Sequence, residues 1–186
     1  MNIQFKKLAF SEIIVFQPLK FVDSRGYFFE NFNKGKFEKQ NGFSFDVIQE
    51  NISFSKKNVL RGLHFQKGNH AQGKIITVYH GKILDVVVDI RPQSQNFGKW
   101  ISYILDEESH ESIFIPAGFA HGFLTLNNFN KISYKVDQFY DKESECVIAW
   151  NDKQLNINWN IKNPILSEKD QNALSFENNY KRNNFA

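Results

Sequence analysis

The stretch Lys82-Ile83-Leu84-Asp85-Val86-Val87-Val88-Asp89-Ile90 decides how the rest of the chain is read. Side chains of an extended strand alternate between its two faces. Leu84, Val86, Val88 and Ile90 then share one face, and Ile83, Asp85, Val87 and Asp89 share the other. This is the pattern of a central strand, apolar on one side and carrying two carboxylates among apolar groups on the other. Buried carboxylates need partners. Asp85 and Asp89 either pair with core or turn donors or take part in a site.

Working outward, further short apolar or alternating segments follow one another at 12–16, 26–32, 45–49, 59–66, 74–80, 100–105, 112–115, 121–126, 131–139 and 145–150. Each is of strand length, and most are rich in Val, Ile, Phe and Tyr. Turn residues separate many of them, as in Asp23-Ser24-Arg25-Gly26, Lys67-Gly68-Asn69, Arg91-Pro92-Gln93-Ser94 and Pro116-Ala117-Gly118. Such a succession predicts a mainly β sandwich or barrel, not alternating βαβ units. Helix signals are few. Residues 33–40 suit a short helix, and Ser167-Glu168-Lys169-Asp170 resembles a capping box that starts another. The Asn-rich, charged tail at about 177–186 is expected to fray. With no repeat and no linker, residues 1–186 read as one domain.

Composition narrows the function. The 186 residues are 41% hydrophobic and 23% charged, ordinary for a globular protein. Aromatic residues reach 16%, with 20 Phe, which favours a β-rich core. The net charge of +3 is spread over 23 basic and 20 acidic residues without a basic block, so nothing points to nucleic acid. The lone Cys146 excludes an internal disulfide and a Cys-based zinc cluster, and fits a reducing cytoplasm. No window approaches the roughly 20 apolar residues of a membrane helix.

Four segments mix charge with strand-forming residues. In Asp23-Ser24-Arg25-Gly26-Tyr27-Phe28-Phe29-Glu30, Arg25 is either a solvated turn residue or a phosphate ligand, since a guanidinium makes paired bonds to phosphate oxygens. Gln49-Glu50-Asn51 precedes Asn58-Val59-Leu60-Arg61-Gly62-Leu63-His64-Phe65-Gln66, where Arg61, His64 and Gln66 interrupt an apolar strand. Strict alternation puts Arg61 and His64 on opposite faces, unless Gly62 marks a bulge that brings both to one side. Lys74, after Gln72-Gly73, is either an exposed strand end or a cation for a developing oxyanion. Small residues surround His121 in Pro116-Ala117-Gly118-Phe119-Ala120-His121-Gly122-Phe123, and Ser133-Tyr134-Lys135 follows. His121 is either a packed imidazole in a turn or a group that a ligand approaches closely.

Other chemistries lack their residues. His64 is followed by Phe65 and Gln66, so the His pair of a cupin-type metal site is missing, and His64 with His121 alone makes too few ligands. There is no Gly-x-Ser-x-Gly elbow and no Gly-rich nucleotide loop.

Taken in order, Arg25-Gly26-Tyr27-Phe28-Phe29-Glu30, Leu60-Arg61-Gly62-Leu63-His64-Phe65-Gln66, Ala71-Gln72-Gly73-Lys74, Gly118-Phe119-Ala120-His121-Gly122-Phe123, Tyr134-Lys135 and Ala149-Trp150-Asn151-Asp152 resemble the dTDP-4-dehydrorhamnose 3,5-epimerase family. The resemblance runs from about Phe10 to Asp170. It implies a cupin-type jelly-roll barrel with a few short peripheral helices. It also implies a homodimer, no metal or organic cofactor, and a dTDP-4-keto-sugar substrate, with neither nucleic acid nor membrane as partner. By the same resemblance His64 is the general base, Asp170 its partner carboxylate, Tyr134 the acid on the opposite face of the sugar, and Lys74 the cation that steadies the enolate. Arg25, Phe28, Glu30, Gln49, Asn51, Arg61 and His121 line the substrate site. The family often has Tyr-Tyr where this chain has Phe139-Tyr140.

Overall fold

The computed structural model describes residues 3–183 and 185. In chain order the elements are β1 (Gln4–Lys7), β2 (Ile14–Gln17), β3 (Phe21–Asp23), β4 (Gly26–Phe28), α1 (Lys34–Asn41), β5 (Gln49–Lys56), β6 (Leu60–Gln66), a 3₁₀ turn (Gly68–His70), β7 (Lys74–His80), β8 (Lys82–Asp89), β9 (Trp100–Asp106), β10 (Ser112–Ile115), β11 (Phe119–Thr125), β12 (Phe129–Val136), β13 (Glu145–Val147), α2 (Glu168–Gln171) and α3 (Phe176–Asn183). The strands form a six-stranded sheet, in the order β1-β2-β10-β7-β12-β5, and a five-stranded sheet, in the order β13-β6-β11-β8-β9. β3 and β4 make a separate hairpin. The strand pairs within the sheets are antiparallel. The fold is the mainly β, cupin-like jelly roll expected, with three short helices at its periphery.

Alternation explains the layers. β8 runs between β11 and β9, and its two faces enter two different cores. Ile83 and Val87 point inward with Ile76, Val78, Ile113, Ile115, Phe119, Phe123 and Ile132, which fills the space between the sheets. Val86, Val88 and Ile90 point outward with Leu60, Leu63, Phe65, Ala120 and Leu124, under a cover of Ile148, Leu155, Trp159, Phe176 and Phe185. The outer face of the six-stranded sheet carries Ile14, Phe16, Ile75 and Phe114, covered by Phe37 of α1 and by Phe45.

Several elements depart from the sequence reading. β1 and β3 carry no strong apolar alternation, and were not expected as strands. Residues 45–49 are an approach to a strand, with Phe45 buried, and the strand itself is β5. Its pattern is inverted: Ile52 and Phe54 are exposed, while Ser53 and Ser55 turn toward the other sheet. An inward polar face hides a strand from hydrophobic periodicity. The helix at 33–40 is α1, capped by Asn33, whose side chain accepts the Lys36 N–H at 3.0 Å. The tail expected to fray forms α3 through Asn183. Phe176 and the Asn179 side chain are buried, the latter donating to the Val147 carbonyl at 2.9 Å, and Phe97, Phe176, Tyr180 and Phe185 pack ring on ring. Residues 184 and 186 of that tail lie outside the described residues.

Candidate active site

β6 carries the decisive irregularity. His64 pairs with His121 of β11, and Arg61 pairs with Phe123. Three steps along β6 therefore match two along β11, which is a β-bulge. The extra residue turns Arg61 and His64 to one face while Leu60, Leu63 and Phe65 stay in the outer core. Gly62 makes this possible. Its φ is 120°, and a Cβ there would lie 2.6 Å from Gly122 Cα and 2.7 Å from the His121 carbonyl oxygen.

His64 Nε2 lies 2.6 Å from Asp170 Oδ1. Asp170 comes from α2, more than a hundred residues away, and its side chain is 3% exposed against 28% for His64. Asp170 Oδ2 accepts the Ser167 hydroxyl at 2.7 Å, and Oδ1 also accepts the Gly62 N–H at 3.4 Å. Burial alone would raise this carboxyl. The hydrogen bonds from His64, Ser167 and Gly62 hold it below the usual range. A carboxylate only accepts, so His64 Nε2 carries the hydrogen and Nδ1 keeps a free lone pair.

The facing sheet supplies the phenol and the ammonium. Tyr134 of β12 stands opposite Asn51 of β5 and Ile76 of β7. Its hydroxyl is 2.8 Å from Ser53 Oγ. Burial pushes the phenol up to about 12, against the Ser53 hydrogen bond and the nearby Arg61 charge, so it is protonated at neutral pH. Lys74 opens β7 on the same face as Ile76, one diagonal from Tyr134 across the strand pair. Desolvation brings its ammonium down to about 8, although Asp137 and Glu145 pull the other way.

Arg61 donates to Ser55 Oγ from Nε and Nη2, each at 3.2 Å. His121 Nε2 is 2.7 Å from Asp85 Oδ2, so Asp85 has a core partner, while its buried Oδ1 accepts no hydrogen bond. Asp89 is the turn-donor case, bound by Arg91 and Ser94. The rings of His121, Phe123 and Tyr134 follow one another at 6.2 and 6.1 Å between centroids, a bridge from one sheet to the other. Gln49 and Asn51 share the inward face of β5, with Gln49 Nε2 donating to Asn51 Oδ1 at 2.9 Å.

The fold thus gathers His64, Asp170, Arg61 and His121 from one side, and Tyr134, Lys74, Gln49 and Asn51 from the other. It does not bring Arg25, Phe28 and Glu30 to them within the chain. Arg25 is 87% exposed and pairs with Asp23, Phe28 is 65% exposed, and Glu30 pairs with Lys36. The contacts around this hairpin run to Lys20, His110 and, through Asn31, Tyr79. Ser53 and Ser55 were missed by the sequence reading, which took Ser167 as a helix cap and not as a partner of the Asp170 carboxylate. Alternation from Asn51 would have placed both β5 serines on its face, but a lone serine carries no chemical signature.

The chain is similar to known proteins in sequence and in fold. The family model described as dTDP-4-dehydrorhamnose 3,5-epimerase matches residues 7–178. The dTDP-4-dehydrorhamnose 3,5-epimerase of Escherichia coli K12 is 43% identical over 167 residues, covering 89% of this chain and 90% of that protein. The crystal structure of the enzyme of that name from Elizabethkingia anophelis superposes with a TM-score of 0.91 at 43% identity, covering 96% of this chain and 98% of the other. The Legionella pneumophila dTDP-6-deoxy-D-glucose-3,5-epimerase RmlC, in complex with dTDP-4-keto-L-rhamnose, gives 0.90 at 37% identity, covering 95% and 94%. By sequence and by fold, the chain belongs to the dTDP-4-dehydrorhamnose 3,5-epimerase family.

Proposed function

We propose that the protein converts dTDP-4-dehydro-6-deoxy-D-glucose to dTDP-4-dehydro-L-rhamnose, inverting C3 and C5 in deoxysugar biosynthesis. The observation that carries the reading is the pairing of an Asp170-oriented imidazole on one inner face with a protonated phenol, Tyr134, on the facing sheet. The C4 ketone acidifies the hydrogens at C3 and C5. His64 Nδ1 takes one of these protons, and the C–H electrons pass into a C–C double bond as the carbonyl oxygen becomes an enolate. Asp170 stabilises the imidazolium that forms. The Lys74 ammonium, with Arg61 as a second cation, neutralises the enolate oxygen. Tyr134 then delivers its proton to the opposite face of the carbon, which inverts it. Solvent returns a proton to Tyr134 and removes one from His64 before the second centre reacts.

Phe139, 64% exposed, offers a ring for the thymine base, and Gln49 and Asn51 offer amides at the rim. The assembly we propose is a homodimer. The exposed hairpin, with Val22 75% and Phe28 65% exposed, would seat Arg25, Phe28 and Glu30 at the partner's site, where Arg25 binds the diphosphate. We place the protein in the cytoplasm, where a lone thiol such as the buried Cys146 stays reduced. Among the described residues, no helix is long and apolar enough to cross a membrane.

Incubation with dTDP-4-keto-6-deoxyglucose in heavy water tests the reaction. Uptake of two deuterons, at C3 and C5, is the expected result. Uptake of one would make it a single-centre epimerase, and no uptake would overturn the substrate.

A further inference from the structure

α2 begins with an altered capping box. Ser167 is its N-cap, and its hydroxyl oxygen accepts the Asp170 N–H at 3.1 Å. In an ordinary box the acid three residues on reaches back to the backbone N–H of the cap. Asp170 instead directs its carboxylate at His64, through Oδ1. The Ser167 hydroxyl proton goes to Oδ2, at 2.7 Å. One hydroxyl thus anchors the residue twice, at its backbone N–H and at its carboxylate. The torsion that turns a carboxylate about Cβ–Cγ is broad, so packing alone does not fix the angle of its plane toward the imidazole. The Ser167 donor on one oxygen, with the longer Gly62 N–H contact on the other, does. A four-residue helix also has little stability of its own, so Asp170 depends on this cap for its place under β6.

We infer that Ser167 is a positioning residue for the epimerase reaction, holding the Asp170 carboxylate at the angle that presents an oxygen to His64 Nε2–H and so keeps Nδ1 as the basic nitrogen. This rests on His64 acting as the base. Thr caps the helix and also donates a hydroxyl proton to the Asp170 carboxylate, whereas Gly is a tolerated cap that brings no side-chain donor.

The test compares Ser167→Gly and Ser167→Thr with the unaltered protein in kcat, KM, Tm and the ¹⁵N signals of the His64 ring without ligand. In Ser167→Gly, kcat should fall about ten-fold or more while KM stays within about two-fold, the pattern of a misplaced catalytic group. Tm should change little, since Gly still serves as a cap, and the His64 ring should change from a single Nε2–H tautomer to a mixture. Ser167→Thr should keep kcat and the single tautomer. Unchanged kcat with a single tautomer in Ser167→Gly would overturn the inference, as would a loss of kcat that tracks a loss of Tm in both variants. The ring signals need no turnover. Were His64→Ala still an active epimerase, the proposed function would fail, while the tautomer comparison would still decide the geometric part.

Discussion

At the residue scale, three ionisable side chains divide the chemistry according to their surroundings. His64 is part-exposed and tied to a buried carboxylate, which suits it to take a proton and hold it. Tyr134, pushed up to about 12 by burial, keeps its proton until an enolate demands it. Replacing His64 with Ala should cost about 10²–10⁴ in turnover, measured by product formation at saturating substrate. Tyr134→Phe should separate the half-reactions. His64 would still exchange substrate hydrogen with heavy water, and NMR would find the deuterium mainly on carbons of unchanged configuration. Lys74 sets the basic side of the pH profile. Its charged form is the useful one and its ammonium sits at about 8, so kcat/KM of the free enzyme should fall as pH rises through about 8. A profile flat to pH 10 would remove Lys74 from that role. These residues were legible in the sequence because charged and aromatic groups stand out in apolar strands. Their partners were only half legible. Asp85 advertised a need for a partner without naming His121, Ser167 advertised only a helix cap, and Ser53 advertised nothing.

At the element scale, the bulge in β6 turns an ordinary strand into one edge of a site. It needs a residue without a side chain, because the backbone of β11 fills the space where a Cβ would stand. Gly62→Ala should therefore destabilise the fold by about 2 kcal/mol or more, read from denaturant titration. It should also lower activity in the molecules that remain folded, by returning Arg61 and His64 toward opposite faces. The sequence marked Gly62 as a place where alternation breaks, yet the direction of the break came from the pairing with β11. β5 illustrates the reverse case. It is a full eight-residue strand whose inward face is polar because it borders the site, so apolar periodicity passed it over. α3 was missed because its charged and Asn-rich composition says nothing of the ring cluster that Phe176 and Tyr180 join.

At the scale of the whole molecule, each sheet buries apolar side chains on both faces, and the candidate site draws its groups from the facing sides of the two sheets. The outer covers, α1 on one side and the C-terminal segment on the other, let the inner faces afford polar groups. The C-terminal segment has a second task, since α2 carries Asp170 to His64. The hairpin of β3 and β4 is different, with apolar and cationic side chains turned outward. If it completes the site of a second copy, Arg25→Ala and His64→Ala variants, each inactive alone, should regain activity when mixed and allowed to exchange subunits. Random exchange would leave about a quarter of the sites intact, because half the dimers are mixed and each of those has one whole site. No recovery, with exchange verified, would place Arg25 outside the partner's site.

By itself the sequence determined the mainly β class, the positions of most strands, and which side chains were chemically unusual. Those follow from local rules, alternation and turn chemistry, that act over a few residues. Only the tertiary structure decided that Asp170 meets His64, that Ser53 meets Tyr134, and that Arg61 and His64 share a face. Such contacts depend on which strands pair and in what register, and on where a C-terminal helix lands. They are set by burial summed over the whole core, and a short window of sequence does not contain that sum.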